Sequence, residues 1–265
     1  MSLLISRRRL LTLALLSALP RPVGGEESVR RGSSRYELRI GVLFDLFTYT
    51  ISGNVLEEID AAAGRYRVSI TGEGTGVTGG VETSGIIRDG RFLPVRMRSG
   101  HTVRGRESRV QISYDHDRGL AEYHSVSYTF LLGRRRQADD IVRFRPGEPV
   151  DDLVSAELNF AARKLPVEPD GAYRITVVRR ARPADEGPDD VSSGAYRAEL
   201  TTFRFRPETS DAGRLTALID LTGFSPWARA SRPAQITFSP ERRLESVRSS
   251  LILGTTFTLH RNISS

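Results

Sequence analysis

Val110-Gln111-Ile112-Ser113-Tyr114-Asp115-His116-Asp117-Arg118-Gly119, with the returning Tyr123-His124-Ser125-Val126-Ser127-Tyr128-Thr129-Phe130, is the stretch from which the fold is read. Val110, Ile112 and Tyr114 alternate with polar residues. That period of two puts one face of a strand on a core and the other in water. Asp115 to Gly119 supplies the reversal, because Asp bonds its own backbone and Gly accepts a positive φ. The stretch predicts an antiparallel hairpin with a one-sided core.

The same alternation recurs outward from it. Tyr36, Leu38 and Ile40 alternate with Glu37 and Arg39, and Tyr66, Val68 and Ile70 with Arg67, Ser69 and Thr71. Further strands are predicted at 173–179, 195–205, 214–221, 234–239, 244–253 and 255–260. A polar and an apolar face on nearly every strand point to antiparallel pairing, and no βαβ alternation suggests a parallel sheet. One segment differs. Residues 151–162 are rich in helix formers, and Asp151 and Asp152 at the start suit a helix N-terminus. Leu153, Val154, Leu158 and Ala161 share one face of that helix, which is expected to pack on the sheet. The predicted fold is mainly β: a single antiparallel, strongly curved sheet or half-barrel with one packed helix at about 150–164. Residues 181–194, rich in Pro, Asp, Gly and Ser, read as an exposed loop.

The first twenty-five residues read differently. Arg7-Arg8-Arg9 precedes an unbroken apolar run from Leu10 to Leu19, then Pro20, Pro22 and Val23-Gly24-Gly25. A basic segment, a short apolar segment and a small-residue step are the parts of a secretory signal peptide. The run is about half of the ~20 residues a spanning helix needs. Ser6-Arg7-Arg8-Arg9-Leu10-Leu11 also resembles a twin-arginine signal, so the Sec and twin-arginine routes both stay open. The expected division is a signal at 1–25, a flexible lead-in at 26–35 and a single β-rich domain at 36–262. The mature chain is thereby placed in the periplasm, with no membrane-spanning segment.

Composition narrows the function. The formal net charge of +7 includes four arginines in the signal, which carries no acid, so the mature chain holds +3. A mild excess spread along the chain is not a nucleic-acid footprint. Arg134-Arg135-Arg136 is followed by Asp139 and Asp140 and reads as an exposed, locally compensated loop. The absence of Cys excludes disulfides, thiol nucleophiles, thiolate metal sites and lipid-modified lipoproteins.

No motif assigns chemistry. Gly74-Thr75-Gly76-Val77-Thr78-Gly79 has dinucleotide spacing, but the Gly and β-branched residues after it do not form the required helix. It reads as a Gly-rich loop between strands, with Gly76 and Gly79 able to gate a cavity mouth. Asp115, His116, Asp117 and His124 are metal-ligand types, yet strand neighbours point to opposite faces, so no metal site is assigned. The paired acids Asp139-Asp140 and Asp151-Asp152 read as loop and helix-start residues, not as a general acid and base. Most aromatics fall in predicted strands and fill the core. Phe224 and Trp227 lie in a turn-like Phe-Ser-Pro-Trp stretch and are the candidates for a cavity rim or partner contact. No catalytic, cofactor or metal residue is expected.

Several stretches carry a family likeness: Tyr36-Glu37-Leu38-Arg39-Ile40, Asp89-Gly90-Arg91-Phe92-Leu93-Pro94-Val95-Arg96, Ile112 to Asp117 and Pro149-Val150-Asp151-Asp152-Leu153-Val154-Ser155-Ala156. Pro233-Ala234-Gln235-Ile236 and Gly254-Thr255-Thr256-Phe257-Thr258-Leu259 complete the set. In that order they resemble the bacterial exported domain-of-unknown-function family numbered thirty-one-oh-eight, over about residues 36–260. The resemblance implies a curved sheet similar to the periplasmic lipoprotein carriers, and no reaction. The expected function is a non-enzymatic envelope binding module for a lipid or other apolar ligand. A structural module docking an envelope protein and a hydrolase with an unrecognised site are the other readings.

Overall fold

The structure is a computed structural model. It describes residues 29–263 except 43, 45–46, 104, 130–131, 184–185, 188, 193–194, 211–212, 223–227, 229 and 252–253. The signal expected at 1–25 therefore lies outside the described residues, as do Phe224 and Trp227.

Eight strands come first: β1 (Val29–Val42), β2 (Phe47–Asp60), β3 (Arg65–Gly74), β4 (Val77–Arg88), β5 (Arg91–Val103), β6 (Arg106–Asp115), β7 (Leu120–Tyr128) and β8 (Arg135–Arg143). Helix α1 (Leu153–Ala161) follows, then β9 (Tyr173–Arg180) and β10 (Ala198–Phe205). The chain ends with β11 (Glu208–Thr209), β12 (Leu215–Ile219), β13 (Ala234–Phe238), β14 (Leu244–Ser250) and β15 (Thr256–Ile263). Thirteen of the strands form one antiparallel sheet in the order β11-β12-β13-β14-β15-β1-β2-β3-β4-β5-β6-β7-β8. β9 and β10 form a separate antiparallel ribbon.

A magnitude shows that the sheet curls. Leu158 and Phe160 of α1 pack against Val55, Tyr66 and Val68 on one side and Phe238 on the other, while Asn159 bonds to Phe92 of β5. β13 and β5 are seven places apart in the sheet. Flat, that is roughly 34 Å at ~4.8 Å per strand, three times the ~10–12 Å width of a helix. One short helix reaches both only because the sheet bends around it. The ends do not join. Tyr196, just before β10, bridges Ala138 of β8, and Phe203 and Phe205 pack on Ala217 and Ile219 of β12. The ribbon thus spans the opening between the two sides of an unclosed half-barrel.

The inner face of the sheet is apolar and packed. Ile112, Tyr114, Ala121 and Tyr123 meet Val178 and Tyr196 from the ribbon. Phe160 holds the centre, its ring 5.1 Å from Tyr173, 5.4 Å from Phe205 and 4.7 Å from Phe238. Those separations suit tilted and edge-on aromatic pairs. Gly53 and Gly72 let the Tyr36 ring lie flat on the sheet, since a Cβ at Gly53 would sit 2.5 Å from that ring and one at Gly72 2.1 Å from its hydroxyl.

Several expectations need correcting. β1 begins at Val29, so residues 29–35 of the expected lead-in are strand, paired with Asn54–Asp60 of β2. Arg30-Arg31-Gly32-Ser33 shows no alternation because that part of the strand is exposed. Arg135 and Arg136 belong to β8 rather than a loop, and Arg136 is buried between Glu186 and the Gly187 and Asp190 carbonyls. Leu153 does not pack: it is 57% exposed.

Candidate functional site

The sequence gives α1 a firm start. Asp152 caps it, accepting from the Ser155 N–H at 2.8 Å and the Ser155 hydroxyl at 3.1 Å. Since that hydroxyl spends its proton on Asp152, the Tyr66 hydroxyl, 2.6 Å away, donates to Ser155. Asp151, one residue earlier, accepts from Arg91 Nη2 at 2.8 and 2.7 Å and from Asn159 Nδ2 at 3.0 Å. Asn159 also pairs with the Phe92 backbone, accepting at 2.8 Å and donating at 2.8 Å, as a neighbouring strand would.

These carboxyls are sealed under the helix. Burial pushes Asp151 up to about 7, against the opposing pull of Arg91, and pushes Asp152 up to about 6, against the Ser155 hydrogen bonds. Burial also raises Tyr66 and Tyr114. Displaced carboxyls of this kind mark functional sites and structural networks alike. Geometry decides here. Asp151 and Ser155 are 0% exposed, and neither carboxyl lines the clefts described below. The cluster fastens α1 to β3 and β5. Thr83 lies against Asp152, and Tyr114 Oη is left buried beside the cluster without a hydrogen-bond partner among the described residues. A second inner network ties the same helix to β2 and β15: Arg261 reaches Glu157 at 2.8 Å and Glu57 at 2.7 Å, and Arg243 pairs with both acids.

The open space lies on the other face. A cleft of about 790 Å³ is lined mostly by the outward side chains of β3 to β8. Strand register places them in rows. Ser69, Glu82, Arg98, Gln111, His124 and Asp139 stand opposite one another, and beside them run Thr71, Gly80, Gly100, Arg109, Val126 and Gln137. Gly80 and Gly100 carry no side chain, so they form the floor of a trough walled by the first row. A second cleft of about 750 Å³ continues it across β1 to β3 past Arg35, Asn54 and Thr71. Gly79 lies on the seam of the two. Gly76 sits in the β3–β4 turn with φ +69°, outside both. A third cleft, of about 580 Å³, runs past Ile86 and Val95.

The histidines scatter. His124 Nδ1 lies 2.9 Å from Asp139 at the trough wall, and hydrogen bonds from Gln137 and His124 hold Asp139 below the usual carboxylate range. His116 bonds the Pro94 carbonyl at 2.7 Å and stacks on Tyr114. Burial lowers both His116 and His101. Among the described residues, no three His, Cys, Asp or Glu side chains converge as metal ligands. Asp115 to Gly119 is the predicted hairpin turn, with Asp115 accepting from the Arg118 N–H. The trough itself was invisible in the sequence because β4 and β5 lack clean alternation. Their glycines, which give it a floor, are also what blurs the pattern.

No helix among the described residues is long and apolar enough to cross a membrane. No family model matches the sequence, and no curated protein does. Among solved structures, a crystal structure described as a β-barrel-like protein of domain of unknown function DUF1849, from Brucella abortus, is similar over 89% of this chain and 98% of that one. The identity is 10% and the TM-score 0.41.

Proposed function

We propose that this chain is an exported, non-catalytic binding module of the cell envelope that holds a polar ligand in the trough on the outer face of its sheet. The trough carries the reading. It is a cleft of about 790 Å³, within the ~300–1,000 Å³ of small-molecule sites, and its floor is kept open by Gly80 and Gly100. Export rests on the leader-like residues 1–25 and on the stretches that resemble the exported family. The non-catalytic reading rests on the separation of parts, since the carboxyls shifted toward neutral pH are buried away from the trough. A lipid or other apolar ligand would need room inside the curl, where α1 and the β9–β10 ribbon already pack. A second reading, docking of an envelope protein, is supported by the cleft past Ile86 and Val95, where Val95 is 42% exposed.

The test is native mass spectrometry on protein purified gently from the envelope fraction, as wild type and as Gly100→Trp. A Cβ at Gly100 meets nothing closer than 3.8 Å, so the side chain enters the trough without disturbing the sheet. A polar mass bound by the wild type and absent from the variant is the expected result. A solvent-extractable apolar mass retained by both would return the ligand to the interior and overturn the proposal.

A further inference from the structure

We infer that the trough takes its ligand by an oxyanion, phosphate or carboxylate, clamped between Arg98 and Arg109. This rests on the trough being the binding site. Register puts Arg98 of β5 opposite Gln111 of β6, and Arg109 of β6 opposite Gly100 of β5. The two arginines are therefore diagonal neighbours on the outer face, with Cβ atoms roughly 7 Å apart. Nothing stands between them and the floor, because the residues across from Arg109 are Gly100 and then Gly80.

Their charges are unmet. Several arginines of the interior are held by acids: Arg91 by Asp151, Arg136 and Arg180 by Glu186, Arg243 and Arg261 by Glu57 and Glu157. Glu82, directly across from Arg98, is instead engaged by Arg67 at 2.7 Å. Asp139 is engaged by His124 and Gln137. Among the described residues neither Arg98 nor Arg109 forms an ion pair. Like charges set side by side on a sheet repel, so the arrangement is stabilised when an anion joins them. Two guanidinium forks with the Gln111 amide beside them match the oxygens of a phosphate or carboxylate. Glu107 faces the far margin of the trough beside Thr102, which confines the anion to the Arg98–Gln111 end and leaves the Gly80–Gly100 floor for the rest of the ligand.

The experiment is isothermal titration of the purified protein with pyrophosphate and with citrate, at low and physiological salt, and co-sedimentation with phosphatidylglycerol vesicles. The proteins are wild type, Arg98→Gln/Arg109→Gln, and Arg30→Gln/Arg31→Gln as a surface-charge control. Binding weakened at least tenfold in the first double variant and unchanged in the control is expected. Saturation by soluble pyrophosphate or citrate assigns a free anion, and binding to vesicles alone assigns a lipid headgroup. Equal loss in both double variants, or no binding of any probe by the wild type, overturns the inference. Mass spectrometry separates its failure from that of the trough. If Arg98→Gln/Arg109→Gln keeps the co-purifying mass that Gly100→Trp loses, the clamp is wrong and the trough stands. If neither changes it, both fall.

Discussion

The two faces of the sheet treat charge in opposite ways. On the inner face every described carboxylate is met: Asp151 by Arg91 and Asn159, Asp152 by Ser155, Glu57 and Glu157 by Arg243 and Arg261. On the outer face Arg98 and Arg109 border open space, and the strands around them step back to glycine. Buried charge must be satisfied inside the protein, because the cost of desolvating it is several kcal/mol per ion. A charge left unsatisfied at a cleft is satisfied from outside. The inner face therefore concerns stability and the outer face binding, and each can be broken without the other.

The largest effect belongs to the inner face. Arg91→Met strands the Asp151 carboxylate under α1, and the loss of one partner of a buried pair costs about 3–5 kcal/mol. Urea unfolding well above pH 7, where the Asp151 carboxyl is ionised, measures it, and a loss below about 1 kcal/mol would show that the cluster is not the fastening described. Phe160→Ala removes the ring at the centre of the Tyr173, Phe205 and Phe238 contacts. About 3–5 kcal/mol is expected, with the helix signal in circular dichroism failing before the strand signal.

A smaller effect concerns pH. Asp151 and Asp152 have folded values raised to about 7 and about 6, above the ordinary carboxylate range, chiefly by burial. Between about pH 4 and 7 the folded chain therefore binds more protons than the unfolded one, and their contribution to stability falls as pH rises through that window. Asp151 faces Arg91, Asn159 and Asp152, while Tyr66 and Tyr114 stay protonated throughout. Melting temperature followed from pH 4.5 to 8 is expected to decline, with a shallower slope in Asp151→Asn. An unchanged slope in that variant would assign the decline to other groups.

The smallest effects separate two kinds of glycine. Gly100→Ala on the outer face is expected to change stability by within about 0.5 kcal/mol, as exposed substitutions do. Gly53→Ala on the inner face meets the Thr71 carbonyl at 2.0 Å and the Tyr36 ring at 2.5 Å and forces both to move. Overpacking of that kind costs about 1–3 kcal/mol. Equal melting temperatures for the two variants would erase the distinction between the faces.

How much of this could be read beforehand follows the same division. The Val110–Tyr128 hairpin, the Tyr66 strand and α1 were legible because burial on one side imposes a period of two or a run of helix formers. β2, β4, β5 and β8 were not. Gly53, Gly79, Gly80 and Gly100 replace side chains with space, and Arg136, Glu57 and Asp151 are charges whose burial depends on partners 50 to 204 residues away. Arg91 and Asp151 lie sixty residues apart, and in the sequence Asp151 reads only as a helix-start acid. The trough needed the register of six strands before its rows lined up.

The place of β1 has a kinetic consequence. The first strand lies in the middle of the sheet, hydrogen-bonded on one side to β2 and on the other to the last strand, Ser34 opposite Ile263 through Gly41 opposite Thr256. Until residues 256–263 are available, that edge of β1 is open, with Leu38 and Ile40 lacking their far-side neighbours. Closure over more than two hundred residues of chain is the kind of contact that slows folding most. The half-finished sheet is a template for pairing with another chain. A chain built this way has a long vulnerable interval between synthesis and the final strand, and its dependence on holding factors should exceed what its finished stability suggests.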